Sequence, residues 1–234
     1  MTVEAIDFAF MGAMEAEVAA ILRHAVLLKQ EQWLGLALHH VAWLGRRCIV
    51  VRCGVGKVFA AMTAQHLIDR YHPRAMVFTG VAGALNPEWE IGDVVVGSEL
   101  IQHDVDGRAL GFERGRLLYT DLKIFRSDPV LVSRAMKASL QGPALRQGRI
   151  LTGDQFLSRE SIHGRDYLTG ELAGDAVEME GAALAQVCSL NDIPFLVVRT
   201  LSDRADGDAV KDFTAFLPVV AQNTLAVLQS LLVQ

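Results

Sequence analysis

With 234 residues, 51% of them hydrophobic, the chain is long enough to bury one substantial core. Its 22 Lys and Arg against 27 Asp and Glu leave a net charge of −5, and no basic stripe tracks a phosphate backbone, which argues against a nucleic-acid partner. The longest apolar runs fall short of the ~20 residues of a membrane span, and Glu4 and Asp7 interrupt the start where a secretory signal needs basic and then apolar residues, so a soluble intracellular protein is expected.

In chain order, residues 5–12 read as a buried strand ending at Gly12, and Val18, Ile21 and Leu22 give 14–24 a helical period. Residues 33–43 and 46–53 read as two strands joined by a turn near Gly45. Lys57–Tyr71 is an amphipathic helix, with Val58, Met62, Leu67 and Ile68 as its apolar positions. The run Arg74–Thr79, bounded by Pro73 and Gly80, suits a strand buried on both faces, and 93–101 is the next strand. Residues 104–127 are polar and without a period; loops of that length are functional or poorly ordered. A helix over 128–141, a strand over 147–152 and a short helix over 158–168 follow. Then come a strand over 175–179, a helix over 181–191 and a strand over 194–201. In the last segment, 212–232, Phe213, Phe216, Leu217, Val220, Val227, Leu228 and Leu231 recur at helical spacing, so that helix should pack on the sheet. No repeat and no Pro/Gly/Ser-rich linker divides the chain, so one α/β domain is expected over 1–234. Its central twisted sheet should be mixed, mainly parallel, with helices on both faces and ligands beyond the carboxyl ends of the strands.

Cys48, Cys53 and Cys188 are odd in number, lack metal-ligand spacing and sit in apolar segments, so they read as buried free thiols. The segment Gly54-Val-Gly-Lys57 is not a Walker loop, which needs Gly at position 51 and Ser or Thr at 58; both are Val. It also lacks the third glycine of a dinucleotide fingerprint. Gly80-Val-Ala-Gly83 follows a strand and admits two readings: close approach of backbone to a ligand, or a tight turn against a helix.

Acids gather at predicted strand ends. Alternate side chains of an extended segment share a face, so Glu178 and Glu180 point together, and Gly181 leaves Glu180 at the mouth. There a carboxylate either grips vicinal hydroxyls or caps the following helix. Asp203 ends an apolar strand beside Ser202; it is either a turn former or, if burial keeps it protonated, a general acid. Glu15 and Glu17 open the first helix, a place acids occupy for dipole reasons, and also one where a base can face a cleft. His103, Asp104 and Asp106 form a further polar cluster, but the other ligands a metal needs are not evident, so no metal and no cofactor are expected.

Met11-Gly-Ala-Met-Glu-Ala-Glu17, Gly54-Val-Gly-Lys57, Thr79-Gly-Val-Ala-Gly83, Gly92-Asp93 and His103-Asp104 stand in order along the chain. Thr152-Gly-Asp-Gln-Phe156, Val177-Glu-Met-Glu180 and Leu201-Ser-Asp203 follow them. Together these resemble the 5′-methylthioadenosine/S-adenosylhomocysteine nucleosidases over about residues 7–231. The resemblance implies a nucleoside phosphorylase-like fold and hydrolysis of the N-glycosidic bond of a 5′-thio-substituted adenine nucleoside to adenine and a 5-thioribose. It also implies a role in methionine salvage and a cytoplasmic homodimer. By matching positions, Glu17 would orient and deprotonate the attacking water, Asp203 would protonate or hydrogen-bond purine N7, and Glu180 would hold the ribose hydroxyls. Met179 would pack on the ribose, Phe156 would stack on the base, the backbone of Leu157 would read its edge, and Phe213 would close over the 5′-substituent. Val81, Ser202 and Glu178 complete the substrate-facing set. Two departures stand out. Val81 occupies a position where the family commonly has Ser, and Ala109–Leu118, matching a loop that a neighbouring subunit lends to the 5′ pocket, agrees only loosely.

Alternatives are a nucleosidase for another 5′-modified nucleoside such as futalosine, a purine nucleoside phosphorylase, and a non-catalytic nucleoside binder. A phosphorylase needs cations beneath the sugar. Here the strand before the second glycine loop ends Met76-Val-Phe-Thr79, and the first loop offers Glu15 and Glu17. A dinucleotide-binding oxidoreductase is opposed by the missing fingerprint. A mere binder has no use for both a water base and a purine acid.

Overall fold

The computed structural model describes residues 5–157, 164–204 and 223–233. β1 (Phe8–Gly12) is buried along its whole length, with Ala9 and Met11 in the apolar cluster on one face and Phe8 and Phe10 in that on the other. This is the period-2 alternation of a strand covered on both sides. α1 (Glu15–His24) follows, and then a meander of β2 (Val26–Trp33), β3 (Leu36–Trp43) and β4 (Arg46–Arg52). Both meander turns have the same chemistry: Leu34-Gly35 (φ 46° and 79°) and Leu44-Gly45 (φ 47° and 78°) each carry two left-handed residues, as a two-residue I′-type hairpin requires.

The expectation of a single strand over 33–43 is corrected by the first of these turns, and β2 was missed altogether. Leu, unlike Asn, does not advertise a left-handed conformation, and β2 shows almost no buried face to set a period. α2 (Lys57–Tyr71) has its expected bounds and buries Ala60, Thr63, Ala64, Leu67 and Ile68, whereas Val58 is 76% exposed and lies off the apolar stripe.

β5 (Ala75–Ala84), β6 (Val94–Gln102) and the short β7 (Phe125–Arg126) come next, then α3 (Pro129–Ala135), whose N–H groups at Val130 and Leu131 are capped by Asp128. α3 ends well before 141; Lys137 and Ala138 donate to carbonyls three residues back, tightening the chain out of the α-helix ahead of Gly142-Pro143. β8 (Leu145–Thr152), α4 (Tyr167–Gly170), β9 (Ala176–Glu178), α5 (Gly181–Leu190) and β10 (Phe195–Arg204) complete the core, with a last helix, α6, over 223–232. The predicted helix over 158–168 lies outside the described residues up to 163, and so does the 212–222 part of the last helix.

The strands run β10-β6-β8-β9-β5-β1-β4-β3-β2, and β10 also pairs with β5. Five strands therefore close into a ring, β5-β10-β6-β8-β9, while β1, β4, β3 and β2 extend from β5 as an open arm. Pairing is parallel through β4-β1-β5-β10 and β6-β8-β9, and antiparallel where β6 meets β10, β5 meets β9, and along the meander. α2 and α5 cover one face, packed on each other, and α1, α3 and α6 cover the other. The three cysteines are buried free thiols; burial pushes those of Cys48 and Cys188 up to about 12, so neither is a nucleophile near neutral pH.

Candidate active site

One cavity of about 340 Å³ opens where the chain leaves β1, β4, β5, β8, β9 and β10. Glu17, Val81, Phe156, Leu157, Glu178, Met179, Glu180, Ser202 and Asp203 all line it, together with Ala13, Met14, Val55, Ala82, Gly83, Gln155 and Val177. Of the site residues read from the sequence, Phe213 lies outside the described residues.

Each acid is brought there by a different local device. Glu17 sits in the first turn of α1, and its Oε2 accepts the N–H groups of Ala13 at 2.7 Å and Met14 at 2.9 Å. Its Oε1 accepts Val81 N–H at 3.2 Å, so three backbone donors fix one carboxylate. Burial raises its pKa above the ordinary value, against the opposing pull of Arg199 and those N–H groups.

Glu178 and Glu180 both line the cavity, but so do Val177 and Met179 and β9 ends at Glu178, so strand alternation does not set the pair apart, and the two acids do different things. The Glu178 carboxylate is consumed by the protein: it accepts from Gly181 N–H at 2.7 and 2.9 Å, from Glu180 N–H at 3.1 Å, from the Thr152 hydroxyl and from Arg199. It caps α5 and holds the Arg199 cation, so of the two readings of this acidic pair it is Glu178 that serves the helix. Glu180 accepts Gly56 N–H at 2.8 Å and lies 3.4 Å from Arg199 Nη2, at the mouth. Burial pushes its pKa up to about 7; Arg199 opposes the rise and Glu178 adds to it.

Asp203 reaches the cavity through an irregularity. Side chains of neighbouring strand residues should point to opposite faces. Yet Ser202 and Asp203 both line the site, because the β10–β5 register slips between Leu201↔Ala82 and Asp203↔Gly83. A bulge of this kind re-aims one side chain. The Ser202 hydroxyl then donates to Asp203 Oδ2 at 2.8 Å.

Arg199 is the residue that sequence reasoning missed. It is fully buried, pairs with Glu178 and Glu180, stands with its guanidinium carbon 4.7 Å from the centre of the Phe78 ring, and acts electrostatically on Glu17. Its signal was present: a lone Arg in the apolar strand Phe-Leu-Val-Val-Arg-Thr-Leu must be paired if that strand is buried on both faces. Gly80 supplies the room. A Cβ there would stand 2.1 Å from Arg199 Nη1 and 2.5 Å from Glu17 Oε1. Gly80 continues β5, so the tight-turn reading of the second glycine loop does not apply to it, and Val81, Ala82 and Gly83 after it line the cavity. Its missing side chain admits an Arg and a Glu of the protein itself.

The polar cluster after β6 diverges. His103 is buried, with Nδ1 3.2 Å from the Tyr167 hydroxyl, and burial lowers its pKa to about 4. Asp104 meets Lys57, and Asp106 meets Arg108 and Arg114. Among the described residues no group of three or more His, Cys, Asp or Glu is placed to hold a metal ion.

The family model of the phosphorylase superfamily matches residues 7–233. The chain is 37% identical over 226 residues to the 5′-methylthioadenosine/S-adenosylhomocysteine nucleosidase of Tolumonas auensis, covering 96% of this chain and 97% of that one. A nucleosidase of the same description from Colwellia psychrerythraea, solved in complex with adenine, superposes with a TM-score of 0.90 at 33% identity, covering 99% of this chain and 96% of that one. The futalosine hydrolase of Helicobacter pylori superposes with a TM-score of 0.89 at 32% identity, each chain 97% covered. Sequence, fold and the acids at the strand ends agree: the chain belongs to the phosphorylase superfamily and, within it, to the family of the 5′-methylthioadenosine/S-adenosylhomocysteine nucleosidases.

Proposed function

We propose that this protein hydrolyses the N-glycosidic bond of 5′-thio-substituted adenine nucleosides, methylthioadenosine and adenosylhomocysteine, releasing adenine and a 5-thioribose. The observation that carries the reading is a cavity lined by Glu17, Glu180 and Asp203 in which none of the described lining residues is a Lys, Arg or His. The nearby cation, Arg199, is already held by Glu178 and Glu180. Such a cavity repels phosphate and suits water, which favours hydrolysis over phosphorolysis.

In the reaction, water adds to C1′ as the C1′–N9 bond breaks, and its electron pair passes to the purine. Glu17 takes the proton from water; the raised affinity of its carboxylate for a proton suits it to that task near neutral pH. Three N–H groups on its two oxygens hold it in place. Asp203, oriented by Ser202, delivers a proton to purine N7 and so neutralises the leaving base. Glu180 accepts the ribose hydroxyls, and its charge is matched to the oxocarbenium-like sugar. Glu178 supports both steps indirectly by fixing Arg199. Met179 packs on the ribose and Phe156 on the base.

We also assign a single domain and a cytoplasmic homodimer. Val55 and Phe156 line the cavity while 49% and 45% exposed, and Val58 and Phe59 continue the exposed apolar surface at the start of α2. A second copy that covers them would close the 5′ side. Likeness to the futalosine hydrolase keeps futalosine as the second substrate to try.

The test is product analysis with methylthioadenosine, adenosylhomocysteine, deoxyadenosine and futalosine, with and without phosphate. Free adenine from the thio-nucleosides without phosphate is expected. Strict phosphate dependence with a sugar 1-phosphate product overturns hydrolysis, and tight binding without base release over hours makes the protein a binder.

A further inference from the structure

The segment Gly54-Val-Gly-Lys57, which holds no phosphate motif, makes two consecutive backbone contacts across the site. Gly56 N–H donates to Glu180, and the next N–H, that of Lys57, donates to Asp154 Oδ1 at 2.9 Å. The first contact needs a left-handed backbone, and Gly56 has φ 103°. The Lys57 ammonium then donates to Asp104 Oδ1 at 2.7 Å and lies 3.9 Å from Asp154 Oδ2. Asp104 Oδ2 in turn accepts Asp154 N–H at 3.0 Å. Three loops, after β4, β6 and β8, are thus joined in a closed cycle around one cation whose side chain is only 17% exposed.

We propose that Lys57 is a positioning residue for the nucleosidase reaction, clamping the base-facing loop at Asp154 to the ribose-facing carboxylate at Glu180. The cycle stands two residues before Phe156, three before Leu157 and one after the N–H that holds Glu180. It touches no substrate atom. Its effect passes through the backbone to the stacking position of the base and the direction of the Glu180 carboxylate. Base contacts of this kind bind ground state and transition state alike, so loosening them raises KM more than it lowers kcat.

This rests on the function proposed above, and the experiment separates the two. Lys57→Met, Asp154→Asn, the double variant and Lys57→Arg are compared with the native protein for kcat and KM on methylthioadenosine, for adenine affinity by calorimetry, and for Tm. Expected for each of the first two is a rise of about 10-fold in KM and in the adenine Kd, as one lost charge-assisted contact gives, with kcat falling less than about 3-fold. The double variant should be no worse than the worse single, and Lys57→Arg should recover most of the affinity. KM and adenine Kd within about 2-fold of native in both single variants, or fully additive losses in the double, overturn the clamp. So does a general loss of Tm that Lys57→Arg fails to restore. If the native protein binds adenine but releases none from any nucleoside, the hydrolase reading falls alone and adenine affinity still decides the clamp; if it binds no adenine, both fall.

Discussion

Two charge clusters stand side by side at the carboxyl ends of the sheet, joined through Gly56 and Lys57. Around Arg199, three carboxylates surround one fully buried cation and are themselves almost wholly buried, so burial dominates and the acids Glu17 and Glu180 hold their protons more tightly than usual. Around Lys57, two carboxylates meet one cation at the rim; burial raises Asp104, but hydrogen bonds from Lys57 and Asp154 N–H outweigh it and its pKa falls. The same residue types give opposite results because the solvent differs. Proton chemistry belongs to the buried set and alignment to the rim set.

Asp203→Asn should lower turnover by ~10²- to 10⁴-fold, the range for one general acid, in steady-state adenine release. Near-normal activity would remove Asp203 from the mechanism.

Arg199→Met should cost ~3–5 kcal/mol of stability in urea unfolding, since it leaves buried carboxylates without their cation. Adding Glu178→Gln to that variant should recover part of the loss.

Next comes pH. Glu180 has its pKa raised from 4.5 to about 7, so its contribution to stability is fully present below 4.5 and is lost as pH rises through about 7. Glu180→Gln does not ionise there. The stability of the substrate-free native protein relative to this variant should therefore fall by ~1–3 kcal/mol between those limits, and a difference independent of pH would contradict the account.

The smallest effect belongs to the rim. Lys57→Met should change unfolding free energy by less than ~1 kcal/mol, as partly exposed pairs do, even while substrate affinity suffers.

Much of this was legible in the chain. Apolar runs bounded by Gly and Pro marked the buried strands, and the acids that line the cavity were readable from their places after those strands. What was hidden depended on distant partners. Closure of the ring by β10 on β5 is a matter of non-local register, and β2 has too little buried surface to leave a pattern. Gly80 reads as a loop glycine until the Arg199 and Glu17 side chains that fill its empty space are known. Glu178 and Glu180 look equivalent by spacing; only the Thr152 hydroxyl, the helix N–H groups and Arg199 assign one to the scaffold and leave the other at the mouth.

The slip between Leu201 and Asp203 means that the number of residues in β10 matters as much as their identity. Removing Ser202 would restore regular alternation with Asp203 still opposite Gly83, but would take away the hydroxyl that donates to Asp203 Oδ2 while preserving every acid in the sequence. A homologue could thus keep every acid and still hold its general acid less firmly through a single-codon deletion, so matching the acids is no substitute for counting the residues between them.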